Sequence, residues 1–205
     1  MRKRQTMMAG LLVMLVLSWG MAGQAQETPT PEQQAEITEA YMKLAAPGAE
    51  HQRLAMLAGN WNLEVKMWPG PGAEPMIMTG TGINEMILGG RFLKCESTSG
   101  EGEMKYDNLA ILGFDNQTGK YIVVVFDTWA TYYGTAAGGW NDSTKTIVMC
   151  GESYDGVMKI TQQYEMNYRL IDNDKYAFEM IYKNKEMTGG APEFKMVEGT
   201  YSRVK

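Results

Sequence analysis

Ten short runs of strand-forming residues follow one another between Trp61 and Val204, and turn signals separate them. In the first run, apolar side chains occupy every second position, which is the period of a half-buried strand: Trp61, Leu63, Val65 and Met67. The other nine runs are Met76 to Leu88, Arg91 to Ser97, Tyr106 to Phe114, Tyr121 to Thr128, Thr131 to Ala137, Lys145 to Cys150, Val157 to Tyr168, Tyr176 to Lys183 and Phe194 to Val204. Because no helical segment falls between the runs, a parallel doubly wound sheet is excluded.

The turns between the runs are mostly short and rich in Gly, Asn and Asp, as at Asn141 with Asp142 and at Asp155 with Gly156. Strands joined in this way form an antiparallel meander, which removes its exposed edges by closing on itself. We therefore predict an all-β fold, an antiparallel β-barrel of about ten strands, with an open sandwich as the alternative. Glycines inside the runs or directly after them are expected where a strand bends at a barrel corner: Gly80, Gly82, Gly134, Gly138 and Gly139.

The first 25 residues have the composition of a secretory signal peptide. Three basic residues, from Arg2 to Arg4, precede an apolar segment, and small residues lead to a predicted cleavage after Ala25. An uncleaved anchor is the alternative, although the apolar segment is shorter than the about 20 residues that span a bilayer. Removing 25 of the 205 residues leaves 180, the size of one domain. We expect a periplasmic or secreted protein with no membrane span after the leader.

Residues 26–49 read as a polar lead-in followed by an amphipathic helix, and residues 50–205 as the barrel domain. Apolar residues recur at helical spacing in the segment from Pro31 to Leu44: Ile37, Tyr41 and Leu44. A second short helix is predicted from Glu50 to Leu57. The formal net charge is -5, and no Lys or Arg cluster lies beyond residue 4, so nucleic-acid binding through phosphate neutralisation is not expected.

The segment LAMLAGNW, from Leu54 to Trp61, resembles the start of the first strand in lipocalin-like barrels, where a helical turn precedes Gly-x-Trp. The resemblance implies that Gly59 allows a close approach and that Trp61 plugs the closed end of the barrel. In such barrels an arginine of the last strand stacks on the tryptophan, and Arg203 in GTYSRVK occupies the comparable place. Such a contact contributes about 1 kcal/mol or more when it is desolvated.

A wider set of segments is similar to the bacterial domain-of-unknown-function family 1579: EHQRLAMLAGNWNLEVKMWPGPG, TGTG, LGGRFL, LGFDNQTGKY and EGTYSRVK. This resemblance covers Glu50 to Lys205 and implies a lipocalin-like barrel with no assigned activity. The GNW motif is also similar to that of nitrobindin-like haem barrels, which bind iron through a histidine late in the chain. Since no histidine follows His51, we expect no haem and no other cofactor.

The barrel lumen is the predicted site, and its candidate lining residues are Leu63, Val65, Met67, Met76 and Met78. Methionine fills irregular cavities and tolerates varied ligands, so we predict a small hydrophobic or amphiphilic ligand as the partner. Thioethers also suit Cu(I), but apolar lining is the interpretation that we adopt, and we expect no metal.

Cys95 and Cys150 form an even pair in a chain predicted to be exported, which permits a disulfide. They fall on the third and seventh runs, which are not neighbours, whereas a disulfide requires Cα atoms within about 7 Å. The sequence is therefore compatible with two interpretations, a disulfide bridge or two inert buried thiols.

An isomerase-like enzyme that uses inward tyrosines and carboxylates is the alternative function. Some of the strand tyrosines are expected to reach the lumen and to offer hydroxyl groups to a ligand. We expect the strand carboxylates Asp127, Glu165 and Glu179 to face solvent, and His51 to be a surface or capping residue. A protein-interaction role of the helix from Pro31 to Leu44 is the third possibility, and the oligomeric state is open.

Overall fold

The computed structural model describes residues 29–205. The signal peptide expected over residues 1–25 and the first part of the lead-in lie outside the described residues. Glu39–Lys205 form one compact unit. The helices are α1 (Pro31–Ala45), α2 (Ala49–Ala55) and α3 (Lys185–Thr188), with a 3-10 turn at Gly102–Met104. No helix within residues 29–205 is long and apolar enough to cross a membrane.

Ten antiparallel strands form a closed barrel, which confirms the predicted fold class. Each strand pairs with its neighbours in sequence, and the first strand pairs with the last, so the open sandwich is wrong. The strands are β1 (Gly59–Met67), β2 (Met76–Ile87), β3 (Phe92–Ser99), β4 (Tyr106–Asp115), β5 (Lys120–Asp127), β6 (Gly134–Asn141), β7 (Thr146–Asp155), β8 (Ile160–Asp172), β9 (Lys175–Tyr182) and β10 (Phe194–Arg203).

The two ends of the barrel differ in how the strands are connected. At the closed end, α2 leads into β1, and tight turns join the strands: 88–91, 116–119, 142–145 and 173–174. At the open end the connections are on average longer: 68–75, 100–105, 128–133, 156–159 and 183–193. We call the halves of the barrel next to these ends the closed half and the open half.

Large apolar side chains fill the closed half. Two leucines of α2, Leu54 and Leu57, are fully buried and belong to the same core cluster as Trp61. The strands complete this cluster with Leu93, Leu112, Tyr121, Ile147, Met149 and Tyr176. Burial of a large apolar side chain stabilises a fold by roughly 1.5–3 kcal/mol, so this half provides much of the stability of the barrel.

Some of the strand glycines, but not all, lie where a neighbouring strand approaches too closely for a Cβ atom. A Cβ at Gly138 would clash with the carbonyl oxygen of Val148 on β7, whereas a Cβ at Gly139 would meet nothing within 4 Å. Glycine at position 138 is therefore required by contact with the neighbouring strand. The run predicted from Thr131 to Ala137 is displaced, because the strand is Gly134–Asn141 and the first residues of that run lie in the loop before it.

Candidate ligand-binding lumen

The barrel register decides which side chains point inward. Directly opposed residues of an antiparallel pair project from the same face of the sheet, and Trp61, the most buried residue of β1, opposes Gly82 on β2 and Arg203 on β10. By the same register, all five predicted lining residues face the interior: Leu63, Val65, Met67, Met76 and Met78. Leu63 and Met78 are buried, and the other three keep part of their surface accessible.

Inward side chains of the open half keep accessible surface, although they point to the inside of a closed sheet. Cys95 and Phe178 do so near the middle of their strands, and Tyr201 does so deeper still, opposite Tyr176 at the boundary with the closed half. Inward side chains of a completely filled barrel would be as buried as Trp61. The interior of the open half therefore contains space beyond that taken by its own side chains, and we call this space the lumen.

Polar groups gather in the lumen around Cys95 of β3. Burial raises the pKa of the Cys95 thiol to about 12. Burial, and to a smaller extent the nearby Cys95, also raise the pKa of the Tyr168 and Tyr201 hydroxyls well above their usual range. Tyr201 stacks on Tyr176 with 4.2 Å between ring centroids. These groups are neutral at pH 7 and present hydroxyl and thiol hydrogens to the lumen.

Sequence reasoning expects some strand tyrosines in the lumen without identifying which ones, and it treats Cys95 only as half of a disulfide or as an inert buried thiol, so this polar group is the part of the site that it does not identify. The signal was available in the alternation of β4, where Tyr106 and Asn108 share a face with the apolar Ala110 and Leu112. Placing that face inward, however, requires the register of β3 and β4.

The two cysteines are both free, so the possible bridge is wrong. Cys95 faces the lumen, opposite Asn84 and Ala110. Cys150 lies on the outer face of β7, opposite Glu165, and is exposed, which also corrects the alternative of two buried thiols. The barrel wall separates their side chains, and no bridge can cross it.

Trp61 and Arg203 form the floor of the barrel. The guanidinium carbon of Arg203 lies 4.2 Å from the centroid of the Trp61 ring, and the indole nitrogen donates to the carbonyl of Leu57 at 3.0 Å. Arg203 also donates to the carbonyl of Ala58 at 2.7 Å. Gly59 has φ +138, and a Cβ there would clash with the Arg203 guanidinium, so only glycine suits this position.

His51 is buried and caps α2, so it lies at the closed end and away from the lumen. Its Nδ1 accepts a hydrogen bond from the backbone N–H of Gly48 at 3.0 Å, and its ring meets the edge of Phe114. Burial, the largest effect, lowers its pKa. The histidine is a capping residue, as expected, but it is not at the surface.

Two of the three strand carboxylates face outward, and one does not. Glu165 and Glu179 lie on the outer face and form ion pairs with Lys183 at 3.6 Å and Lys195 at 2.5 Å. Asp127 opposes Asn108 and stands on the inward face at the open end, which corrects the expectation that it faces solvent. Its carboxylate accepts the backbone N–H of Trp129 at 2.8 Å, so it shapes the turn at the mouth.

Asp127 and Asp155 lie at the mouth, and none of the other inward strand positions within Gly59–Arg203 carries Asp or Glu. Within residues 29–205, no three or more His, Cys, Asp or Glu side chains are grouped so as to hold a metal ion. The chemistry that the lumen offers is hydrogen bonding from neutral hydroxyls, together with apolar contact.

Two further concavities lie outside the lumen. One, of about 480 Å³, runs over the outer wall of β2 to β5 beside Ile83 and Phe126. The other, of about 420 Å³, lies at the closed end between Leu44 of α1, His51 and Phe114. Neither contains the lining residues predicted from the sequence.

Comparison with known proteins agrees with this architecture. The family model described as "Protein of unknown function (DUF1579)" matches residues 46–203. The match begins just before α2 and ends at Arg203, the last residue of β10, so it spans the whole barrel. No curated protein matches the chain. The chain belongs to the DUF1579 family.

Proposed function

We propose that this protein binds a small hydrophobic or amphiphilic molecule in the lumen. The observation that carries the proposal is the accessible surface that inward side chains of the open half retain. Phe178, for example, points into the barrel and is only partly buried. An apolar ligand that covers such a side chain removes apolar surface from water, which makes the free energy of binding more favourable. Methionines from several strands supply an adaptable lining: Met67, Met76 and Met180.

The open end offers the route into the lumen. Connections there are on average longer than at the closed end, which is blocked by Trp61 and Arg203. Aromatic side chains stand at the mouth, where Tyr106 meets Trp129 edge to face with 5.0 Å between ring centroids. Such rings present apolar surface to an entering ligand.

We also propose that the protein works outside the cytoplasm. The support is the signal-peptide pattern of residues 1–25, with its basic start, apolar centre and small residues before the cleavage point. Mass spectrometry of the protein from its native host tests this point. A mature N-terminus at Gln26 supports export, and an intact N-terminus on protein recovered from the cytoplasm contradicts it.

Binding of Nile red, an uncharged fluorescent dye, tests the lumen. We expect saturable binding of about one dye per chain, with the emission shifted to the blue. Val65→Trp fills the lumen and should weaken binding about tenfold or more, because the added ring takes the volume of the dye. Val204→Trp is the matched control, since Val204 is exposed beyond β10 at the closed end.

The outcome that contradicts the proposal is equal dye affinity in both variants and the wild type. All three proteins are first compared by thermal unfolding. If Val65→Trp does not fold, Val65→Phe replaces it with a smaller increase in volume.

A contact between two copies of the chain through α1 is a second candidate function. None of the residues of α1 is buried, and its apolar side chains at helical spacing are exposed: Ile37, Tyr41 and Leu44. An apolar stripe of this kind, which none of the residues 29–205 buries, is typical of a docking helix. Sedimentation of the wild type and of Tyr41→Glu tests this function, because a dimer that the charge disrupts supports it, and a wild-type monomer contradicts it.

A further inference from the structure

The inward face of the barrel carries charge only at its two ends. Arg203 lies at the floor, and Asp127 and Asp155 lie at the mouth. Between them, none of the inward strand positions within Gly59–Arg203 is Asp, Glu, Lys, Arg or His. A ligand inside the lumen therefore meets no counter-charge along its length.

The cation at the floor is already engaged. Its guanidinium covers the Trp61 ring and donates to the carbonyls of Ala58, Met56 and Asn173 at 2.7, 3.2 and 2.9 Å. Binding a carboxylate would require Arg203 to leave these partners. An anion held without such a cation would lose its hydration with little in exchange, which is costly in an apolar site.

The inward tyrosines differ in whether their hydroxyl groups already have partners. Tyr164 donates to the carbonyl of Thr135 at 3.1 Å, and the Tyr176 hydroxyl accepts from Asn84 at 3.1 Å. The hydroxyls of Tyr168 and Tyr201 make no hydrogen bond with any residue of the described part of the chain, 29–205. Within residues 29–205, Asn167 Oδ1 is the one fully buried side-chain N or O atom without a partner, so both hydroxyls reach accessible space in the lumen and can bond there to a polar group on a ligand.

Both hydroxyls stay protonated. Burial holds the pKa values of Tyr168 and Tyr201 far above neutrality, and the pKa of the neighbouring Cys95 thiol is about 12. They therefore act as neutral donors and acceptors, which suit the oxygen of an alcohol or a carbonyl.

The carboxylates that face inward at the mouth disfavour anions, and the connections at this end add five glutamates and four lysines. Asp155 accepts the side-chain amide of Gln162 at 2.6 Å and the backbone N–H of Val157 at 2.8 Å, and Asp127 holds the turn at Trp129. Both carboxylates border the route into the lumen. Like charges repel an entering anion, and salt screens this repulsion.

We infer that the lumen takes an uncharged amphiphile, whose hydroxyl or carbonyl oxygen bonds to Tyr168 and Tyr201, and that it discriminates against the carboxylate of the same chain length. This inference rests on the proposed function. It names the chemical class of the ligand at the same site.

Displacement of bound Nile red by 1-decanol and by decanoate, at about pH 8, tests the inference. The two competitors share a ten-carbon chain and differ in the charge of the polar group. We expect decanol to displace the dye at a concentration about tenfold or more below that of decanoate, because decanoate must bury its charge. A double variant, Tyr168→Phe with Tyr201→Phe, should lower the affinity for decanol about three- to tenfold and leave the affinity for decanoate nearly the same.

Tyr154→Phe is the control, since Tyr154 is exposed on β7. Equal displacement by the two competitors, stronger displacement by decanoate, or no displacement by decanol overturns the inference while dye binding stands. Absence of Nile red binding to the wild type overturns the proposed function itself, so the two failures are distinguishable. If the double variant does not fold, each single variant is measured in its place.

Discussion

The closed half and the open half of the barrel are built from the same ten strands and differ in how completely they are filled. In the closed half, Trp61, Leu93 and Ile147 have 1, 0 and 0% of their surface accessible. In the open half, inward residues such as Cys95 and Phe178 stay partly accessible. The strand pattern alone is the same in both halves, so the size and shape of the inward side chains decide where a lumen exists.

Polar groups differ between the halves in the same way. At the floor, the Trp61 nitrogen, the Asn84 amide and the Arg203 guanidinium all donate to protein carbonyls. At the bottom of the lumen, where Tyr168 opposes Ile147 and Tyr201 opposes Tyr176, the inward hydroxyls of Tyr168 and Tyr201 bond to none of the described residues. A satisfied, filled region stabilises the fold, and a region with space and uncommitted donors suits binding.

Replacing a tryptophan in each half gives the largest contrast. Trp61→Ala should lower the free energy of unfolding by about 3–5 kcal/mol, because it leaves a cavity under Arg203. Trp129→Ala, at the mouth, should cost about 1 kcal/mol or less, since 44% of Trp129 is exposed. Urea denaturation of the three proteins measures both values. Equal losses, or unchanged stability of Trp61→Ala, would show that Trp61 does not plug the barrel.

Adding one methyl group to β6 in each half gives a smaller contrast. Gly138→Ala should cost about 1–3 kcal/mol, because its Cβ would clash with the Val148 carbonyl and the backbone of Met149. Gly134→Ala, on the inward face nearer the mouth, should change stability by less than about 1 kcal/mol, since its Cβ would meet only ordinary contacts with Met166 and Tyr164. Thermal unfolding ranks the two variants, and the reverse order would contradict the close approach of β7 to Gly138.

The smallest expected effect is a pH dependence confined to the closed end. Burial lowers the pKa of His51 below its ordinary value of 6.5, so the unfolded chain binds the proton more readily than the folded chain. The stability from neutral His51 is present above about pH 6.5 and is lost as the pH falls toward the folded pKa. His51→Gln should reduce the change in the free energy of unfolding with pH over this range. Urea midpoints between about pH 8 and pH 5 test it, and parallel profiles would contradict it.

The fold could be predicted from the sequence because its signals are local. Turn residues mark almost every strand end, and the alternation in β1 shows a sheet with one buried face. The error at β6 has a physical reason. Tyr132 and Tyr133 have high strand propensity but lie exposed in a loop, while the glycine-rich Gly134–Asn141 forms a strand because its neighbours approach it closely.

The lumen could be predicted only in part. The apolar alternation of β1 and the Met76 and Met78 pair point inward as expected, because local periodicity carries that information. The grouping of Cys95, Tyr168 and Tyr201 depends on strands far apart in the sequence. Likewise, the inward position of Asp127 follows from its pairing with Asn108, which no local pattern states.

The contact of Arg203 with the carbonyl of Ala58 joins positions 145 apart in the chain. It lies on the seam where β1 meets β10, so the seam forms by closing nearly the longest loop that the barrel contains. Long-range pairing of this kind slows folding, to times of about milliseconds to seconds in all-β domains. The ring of strands, and with it the lumen, is complete only after β10 has been added, and until then β1 presents an unpaired edge to other chains.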